Sequence, residues 1–246
     1  MLNLRILAAL TALPLVLAGA SPAWASKTVT SATVKQGERG VEWKSEYVVD
    51  KQNRRDGAWK QKLAIGHGVT SFWQTEIEAN VAQGGARGDD TEFTSIDWKN
   101  KFQFTGQDQY WLDTGARFSY ALNGIGDADA IEIKLLAAKD IAKTAHRANL
   151  SYSREVGEDS NDDAEWGLSW HSRYKYNDHF QPGFELYSEF GEIGNEGRFN
   201  QQDHRLGPVF SGALPVSGAS YDAGYLIGLS DAAPDGTVKV ILKYKW

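Results

Sequence analysis

Apolar and polar residues alternate along most of the chain after its first 25 residues. In the last nine residues, every second position is apolar or aromatic, and lysines fill most of the gaps: Val238, Val240, Leu242, Tyr244 and Trp246. A helix cannot use a two-residue period, whereas successive side chains of a β-strand point to opposite faces. The pattern therefore predicts a strand with one apolar face, ending in aromatic rings, and one basic face.

The same alternation recurs along the chain. It is strong near residues 38–50, 72–82, 95–104, 165–176 and 220–230, and weaker near 59–67, 110–120, 130–139, 144–155, 181–190 and 204–214. With the last strand, these segments total about twelve, and most are close to the length of a tilted membrane strand. We therefore predict an all-β fold, a single antiparallel transmembrane β-barrel. Pro182 and Pro208 lie inside two of the weaker segments, where proline is unusual.

Two features favour a membrane barrel over the alternative, a soluble β-sandwich. Long, acidic connectors such as "GEDSNDD" alternate with mostly shorter ones such as "PVSG", as expected of extracellular loops and periplasmic turns. The chain has 9 Trp, 10 Tyr and 10 Phe, and many of these rings lie beside the short turns, at a predicted membrane interface. Leu242, Tyr244 and Trp246 then form a predicted signal for the barrel-assembly machinery, with Trp246 at the periplasmic edge.

We predict that the first 25 residues are a cleaved secretory signal and that residues 26–246 form the barrel. Arg5 precedes a short apolar core, and Ala23-Trp24-Ala25 is a typical cleavage site. The core is too short to span a bilayer. The chain contains no cysteine, so no disulfide can stabilise it after export. We expect the protein in the outer membrane of a Gram-negative bacterium, in contact with outer-membrane lipid and lipopolysaccharide.

The polar face of the predicted barrel carries charges whose sign alternates from strand to strand. These residues are predicted to line the lumen: Lys60, Lys62, Glu76, Glu78, Lys99, Lys101, Arg173, Lys175, Glu185, Glu189, Arg205, Lys239 and Lys243. Closure of the barrel would place the last strand beside Glu42 and Glu46, where opposite charges can pair. A barrel of about twelve strands is narrower than the open porins. Interleaved charges therefore predict a mostly filled interior.

Function is less constrained by the sequence than fold. We expect a narrow porin-like channel or transporter for small polar solutes; a structural or adhesive protein acting through its loops is the alternative. The five histidines lack metal-ligand spacing, so no metal or cofactor is expected. The net charge of −6 argues against nucleic acid as a partner. We expect no enzyme activity, although Ser188 and His204 on the outer face keep a lipid hydrolase as a distant alternative.

Several segments resemble an uncharacterised family of proteobacterial outer-membrane β-barrel proteins with transporter-like labels. They are "GERGVEWKSEYVVDK", "GHGVTSFWQTEIEANV", "IDWKNKFQFT", "LGPVFSGALP" and "LSDAAPDGTVKVILKYKW". The most specific parts are the Gly-x-Gly-Val turn before Phe72 and Trp73, and the Asp-Trp-Lys-Asn-Lys-Phe strand. Lys99 stands where the family pattern has Glu. The resemblance implies a barrel and carries over no substrate or site residue.

Overall fold

The protein forms a closed, twelve-stranded antiparallel barrel in a computed structural model that describes residues 27–50, 55–85, 90–124, 127–158, 160–161 and 163–246. The predicted signal peptide lies outside these residues. The strands are β1 (Arg39–Val49), β2 (Trp59–Gly68), β3 (Trp73–Gln83), β4 (Thr91–Gln103), β5 (Asp113–Asn123), β6 (Asp129–Ile141), β7 (Thr144–Val156), β8 (Ala164–Tyr174), β9 (Gln181–Glu192), β10 (Asp203–Ala213), β11 (Ala219–Gly228) and β12 (Gly236–Lys245). The predicted fold class is confirmed, and the soluble sandwich is excluded.

Each strand pairs with its neighbours in sequence, and β1 pairs with β12 to close the barrel. In this closing ladder, Glu42 lies opposite Lys243 and Glu46 opposite Lys239. The last residue extends the ladder, because Arg39 and Trp246 exchange two backbone hydrogen bonds. A closed sheet has no edge strand, so the backbone groups of all twelve strands can find partners within the wall.

The wall has an apolar outer face and a charged inner face. Ile77, in the middle of β3, is 51% exposed, whereas the next residue, Glu78, is fully buried. The other strands follow the same rule, and their exposed outward side chains include Leu63, Trp98, Phe118, Leu135, Leu168, Phe210 and Leu242. Alternation therefore sorts the residues between two environments, as it does in a strand with lipid on one side and a polar lumen on the other.

The two ends of the barrel differ in their connectors. One end, called the turn end, carries both termini of the barrel and the connectors 69–72, 104–112, 142–143, 175–180 and 214–218. The other, called the loop end, carries the connectors 50–58, 84–90, 124–128, 157–163, 193–202 and 229–235. Exposed rings cluster at the turn end, among them Phe72, Phe104, Trp111, Tyr176 and Trp246. Tyr47 and Phe93 form part of a second group at the loop end.

Both prolines that seemed out of place do lie inside strands. Pro208 of β10 lies opposite Phe184, and Pro182 of β9 lies opposite Phe210. On its other side, the β10 ladder to β11 skips Gly207 and Pro208. Proline has no N–H to donate, so a gap in the ladder is the place where a strand can accept it.

Helical structure is minimal in the described residues. A short 3₁₀ helix, Phe199–Gln201, lies in the longest loop-end connector. No helix among the described residues is long and apolar enough to cross a bilayer.

Candidate functional site

The barrel lumen holds almost all of the charged residues that the sequence assigns to it. Twelve of the thirteen lie on the strands, at positions that alternate with the exposed apolar face. Six of them are buried: Lys62, Glu78, Lys99, Glu185, Arg205 and Lys239. Lys175 departs from the expectation, because it follows the last residue of β8. Its ammonium pairs with Asp140 at the turn-end rim, 2.5 Å away, and both side chains are over a third exposed.

One cluster, which we call the Glu78 cluster, gathers three lysines around a single carboxylate. The ammonium groups of Lys44, Lys62 and Lys99 lie 2.7, 3.5 and 2.5 Å from the Glu78 carboxylate oxygens. Lys44 reaches over β2 from β1, because the residue opposite Glu78 on β2 is the small Ala64. The cluster ties β1, β2, β3 and β4 together through one buried group.

A second cluster lies on the other side of the lumen, around Glu185. Lys239 binds Glu185 at 2.5 Å and Asp222 at 3.3 Å, and the Tyr187 hydroxyl donates to Glu185 at 2.7 Å. Lys239 spans from β12 to β9 across positions that carry only Gly224 and Gly207. Glycine leaves room for the long side chain to lie against the wall. We call this the Glu185 cluster.

The Glu185 cluster also contains His171, which with Glu185 and Asp222 forms a group of the kind that can hold a metal ion. Donor atoms of His171, Glu185 and Asp222 all lie within 4.8 Å of one another. The Lys239 ammonium already binds both carboxylates, and the His171 Nδ1 lies 3.2 Å from Glu185. A divalent cation would have to displace that ammonium. The arrangement therefore works as an ion-pair network without a metal.

The centre of the lumen contains a stretch of chain that the sequence pattern did not reveal. Residues 27–34, which we call the lumen segment, run between the strands without joining any ladder. Lys27 lies near the loop end, beside Glu189 of β9 and Asp203 of β10. Near the turn end, the Val34 N–H donates to Gln103 of β4 at 2.7 Å. The segment therefore runs along the barrel axis from near the loop end to near the turn end.

Side chains of the wall bind the backbone of the lumen segment. Glu46 accepts from the Lys27 N–H at 2.9 Å, and Asn149 accepts from the Thr30 N–H at 2.7 Å. The same Asn149 amide donates to the Thr30 carbonyl at 2.9 Å. Arg117 donates to the Thr30 hydroxyl at 2.9 Å and to Glu132 of β6 at 2.8 Å. Side chains of six strands, β1, β4, β5, β7, β9 and β10, thus contact the segment, and each strand makes only a few of these contacts.

The lumen segment also buries side chains at its loop-end half. The Lys27 ammonium lies 3.2 Å from Glu189, 3.9 Å from Asp203 and 5.7 Å from the centre of the Tyr187 ring. Val29 packs with Tyr187 and Leu226 in an apolar cluster inside the barrel. An ammonium between carboxylates and over an aromatic ring is well compensated for its loss of water.

The chain leaves the lumen at the turn end through a close passage. A Cβ at Gly68 would lie 2.0 Å from the Lys35 carbonyl oxygen. The Gly68 N–H donates to Glu38, and its carbonyl accepts from Gly37. Gly68 is the second glycine of the Gly-x-Gly-Val turn, so this part of the motif has a structural reason: only glycine lets the returning chain approach β2.

Two small cavities lie along the described lumen, with volumes of about 50 Å³ each. One lies at the turn-end mouth, beside Arg39, Glu42 and Lys243, and the other lies beside Thr30, Lys101 and Arg117. Since one water in the liquid takes about 30 Å³, each of these two cavities has room for one or two waters.

Ser188 and His204, on which the distant hydrolase alternative depends, do not have the geometry of an active site. Ser188 and His204 do face each other across β9 and β10, on the outer face of the wall. Both are buried, and His204 stacks on Phe199, with ring centres 4.3 Å apart, while its Nε2 contacts Gln202. No hydrogen bond joins Ser188 to His204 among the described residues. A nucleophile and its base would need that contact.

Sequence reasoning missed both the lumen segment and several residues that bind it. Asn149, Arg117 and Tyr187 lie in the weaker strand segments, where alternation was less clear. A signal was present before β1: a solvated tail would be polar, yet Val29, Ala32 and Val34 are apolar and buried. Their spacing does not follow a single period, which hid the segment from the strand search.

Comparison with known proteins supports the barrel fold. No protein-family model and no curated protein matches the sequence. The COG4313 outer membrane channel from Pseudomonas putida F1 is similar in structure, with a TM-score of 0.65 and 10% identity over 93% of this chain and all of that one. NanC porin gives 0.57 with 12% identity over 84% and 100%, and KdgM porin gives 0.53 with 12% identity over 83% and 98%.

These similarities show the fold that the chain shares with outer-membrane channels. At 10–12% identity they do not carry over a substrate. The resemblance to an uncharacterised proteobacterial family agrees with them in fold class, and membership of that family stays an expectation.

Proposed function

We propose that the protein is a narrow porin-like channel for small polar solutes in the outer membrane of a Gram-negative bacterium, closed at rest by its own lumen segment. The loop end faces the outside and the turn end faces the periplasm, in keeping with the usual loop lengths of such barrels. The apolar outer face supports the membrane location, and the charged lumen supports a polar solute.

One observation carries the proposal: the lumen segment fills the pore without being part of the wall. Its N–H groups at residues 27, 30 and 34 bind side chains, whereas wall strands bind one another through continuous ladders. The wall ladders are complete without the segment, and each side-chain contact of the segment can be lost without breaking a ladder.

Planar-bilayer conductance tests the proposal. The full-length double variant Lys27→Glu/Val29→Asp, which we call the release variant, places a carboxylate against Glu46, Glu189 and Asp203 and another beside Tyr187 and Leu226. We expect rare, brief openings in the wild type and frequent, discrete steps in the release variant. Lys35→Glu is the control, since it makes the same Lys→Glu change at an exposed position directly after the segment.

Folding is checked first by the change in gel mobility on heating, which distinguishes intact barrels. A folded release variant with no conductance would contradict the channel and favour the alternative, a non-transporting protein that acts through its loops. Conductance of the Lys35→Glu control equal to that of the release variant would show that the segment does not close the pore.

A further inference from the structure

The groups that hold the lumen segment recognise features of a peptide in general. Glu46, Asn149 and Gln103 accept three backbone N–H groups, spaced over residues 27–34, and Asn149 also binds the Thr30 carbonyl. A side-chain amide that accepts from the N–H and donates to the C=O of one residue recognises the main chain rather than a particular side chain. A sugar or an inorganic ion would not match that spacing of acceptors.

Side-chain sites accompany these backbone contacts. The carboxylates of Glu189 and Asp203, with the Tyr187 ring, form a buried site for an ammonium group. Two residues further along, Tyr187 and Leu226 enclose the Val29 side chain. Backbone hydrogen bonds that give affinity, with pockets for alternate side chains that give selectivity, are how proteins recognise extended peptides.

Nothing in this arrangement depends on the covalent link between the segment and β1. The acceptors and pockets belong to β1, β4, β7, β9, β10 and β11. The connection only raises the local concentration of the segment, to the millimolar range for a short flexible link. A separate peptide of the same chemistry would meet the same groups once the segment leaves.

We infer that the lumen is a binding site for short, extended peptides that carry a basic residue followed, two positions on, by a β-branched apolar residue. This inference rests on the proposed function, since such peptides would be the solutes that enter the channel and compete with the lumen segment. In the wild type, the segment occupies the site, and a peptide of this class displaces it.

Fluorescence anisotropy of a labelled peptide tests the inference on full-length protein. The probe is Lys-Thr-Val-Thr-Ser-Ala-Thr-Val-Lys, the sequence of residues 27–35. Its matched control is Glu-Thr-Asp-Thr-Ser-Ala-Thr-Val-Lys. The release variant should bind the probe at least ~10-fold more tightly than the wild type does, because its own segment no longer competes. It should bind the control at least ~10-fold more weakly than the probe, because like charges then face each other.

Two outcomes would overturn the inference: equal binding of probe and control by the release variant, or no binding of either. Val34→Pro is a second variant that should release the segment more mildly. It removes the N–H that donates to Gln103 and leaves every wall residue unchanged. This variant replaces the double variant if the double variant does not fold. Bilayer conductance of the same samples separates the two proposals. Conductance without peptide binding would support the channel and contradict the peptide site. Peptide binding without conductance would support the peptide site and contradict the channel.

Discussion

Strand β12 and the lumen segment both carry valines, threonine and lysine, yet they are bound to the barrel in different ways. The N–H and C=O groups of β12 pair with β1 on one side and β11 on the other. Those of the lumen segment bind side chains, as at Glu46 and Asn149. A ladder fixes every residue through its neighbours, whereas separate side-chain contacts can be lost one at a time. The difference makes β12 part of the wall and the segment a removable occupant.

The two regions also differ in the regularity of their pattern. Along β12, buried and exposed side chains alternate without interruption from Thr237 to Leu242, with one side chain of intermediate exposure. In the lumen segment the buried positions are Lys27 and Val29, then Ala32 and Val34. The change of phase falls at Ser31, whose hydroxyl accepts from the Thr33 N–H at 3.3 Å. Such a shift is tolerated because no ladder constrains the segment, and in a barrel strand it would turn every later side chain to the wrong face.

The largest effect on the wall is expected from Glu78→Gln. This change leaves the three ammonium groups of the Glu78 cluster without their common carboxylate, and removing one partner from a buried ion pair costs about 3–5 kcal/mol. The folded form should convert to the unfolded form at a clearly lower temperature on a heat-modifiability gel. Glu92→Gln is the control, because Glu92 is exposed on β4 and should change little. Equal loss of stability in both variants would argue against the cluster.

The next effect concerns the two faces of β3. Ile77→Arg places a charge on the apolar outer face near mid-barrel, which costs about 2–4 kcal/mol in a bilayer. Glu76→Arg changes the adjacent residue, whose side chain points to the lumen. We expect less inserted protein for Ile77→Arg than for Glu76→Arg after outer-membrane fractionation. The opposite order would reverse the assignment of inside and outside.

A smaller effect should separate the lumen segment from the wall. Asn149→Ala removes two hydrogen bonds to Thr30, worth about 0.5–1.5 kcal/mol each. Channel openings in a planar bilayer should therefore increase about 10-fold, within a factor of several, while the heat stability of the barrel falls only slightly. Ser169→Ala is the control, since Ser169 lies opposite Asn149 on β8 and has no hydrogen bond to the segment among the described residues. A response of the control as large as that of Asn149→Ala would contradict the account.

The smallest effect is expected at the turn-end rim. The Lys175–Asp140 pair is partly exposed, and exposed pairs contribute at most about 1 kcal/mol. Lys175→Ala should leave conductance unchanged and shift the unfolding temperature little, as measured on the same gel. A marked change in ion selectivity would return Lys175 to the lumen, where the sequence had placed it.

The wall was accessible to sequence reasoning because its constraints are local. Two-residue alternation gave β3 and β12 within a few residues, and the even number of strands gave the closing pair. That closure predicted the lysines of the last strand beside Glu42 and Glu46, and Lys243 lies 2.9 Å from Glu42. Strand order and side-chain period are enough for such neighbours, since each is set by a pattern within one strand.

Contacts that skip strands or cross the lumen were beyond the same reasoning. Lys44 reaches Glu78 only because Ala64 leaves room on the strand between them. Thr30 meets Asn149, which is 119 residues away in sequence, only after the barrel has closed. Pro208 was unexpected in a strand because the gap in the β10–β11 ladder depends on tertiary structure. Each of these features depends on three-dimensional space rather than on local periodicity.

The central claim is that the lumen segment fills the pore and can leave without loss of the wall, and thiol labelling tests it most directly. The chain has no cysteine, so Ala32→Cys introduces a single thiol at a fully buried position. Its rate of reaction with a membrane-impermeant maleimide is compared with that of Lys35→Cys, an exposed reference. We predict slow labelling of Ala32→Cys in the wild-type background and labelling at least ~10-fold faster in the release variant, whose barrel stays folded. Labelling as fast as the reference in the wild-type background would show that the segment does not lie in the lumen, and slow labelling in both backgrounds would show that it does not leave.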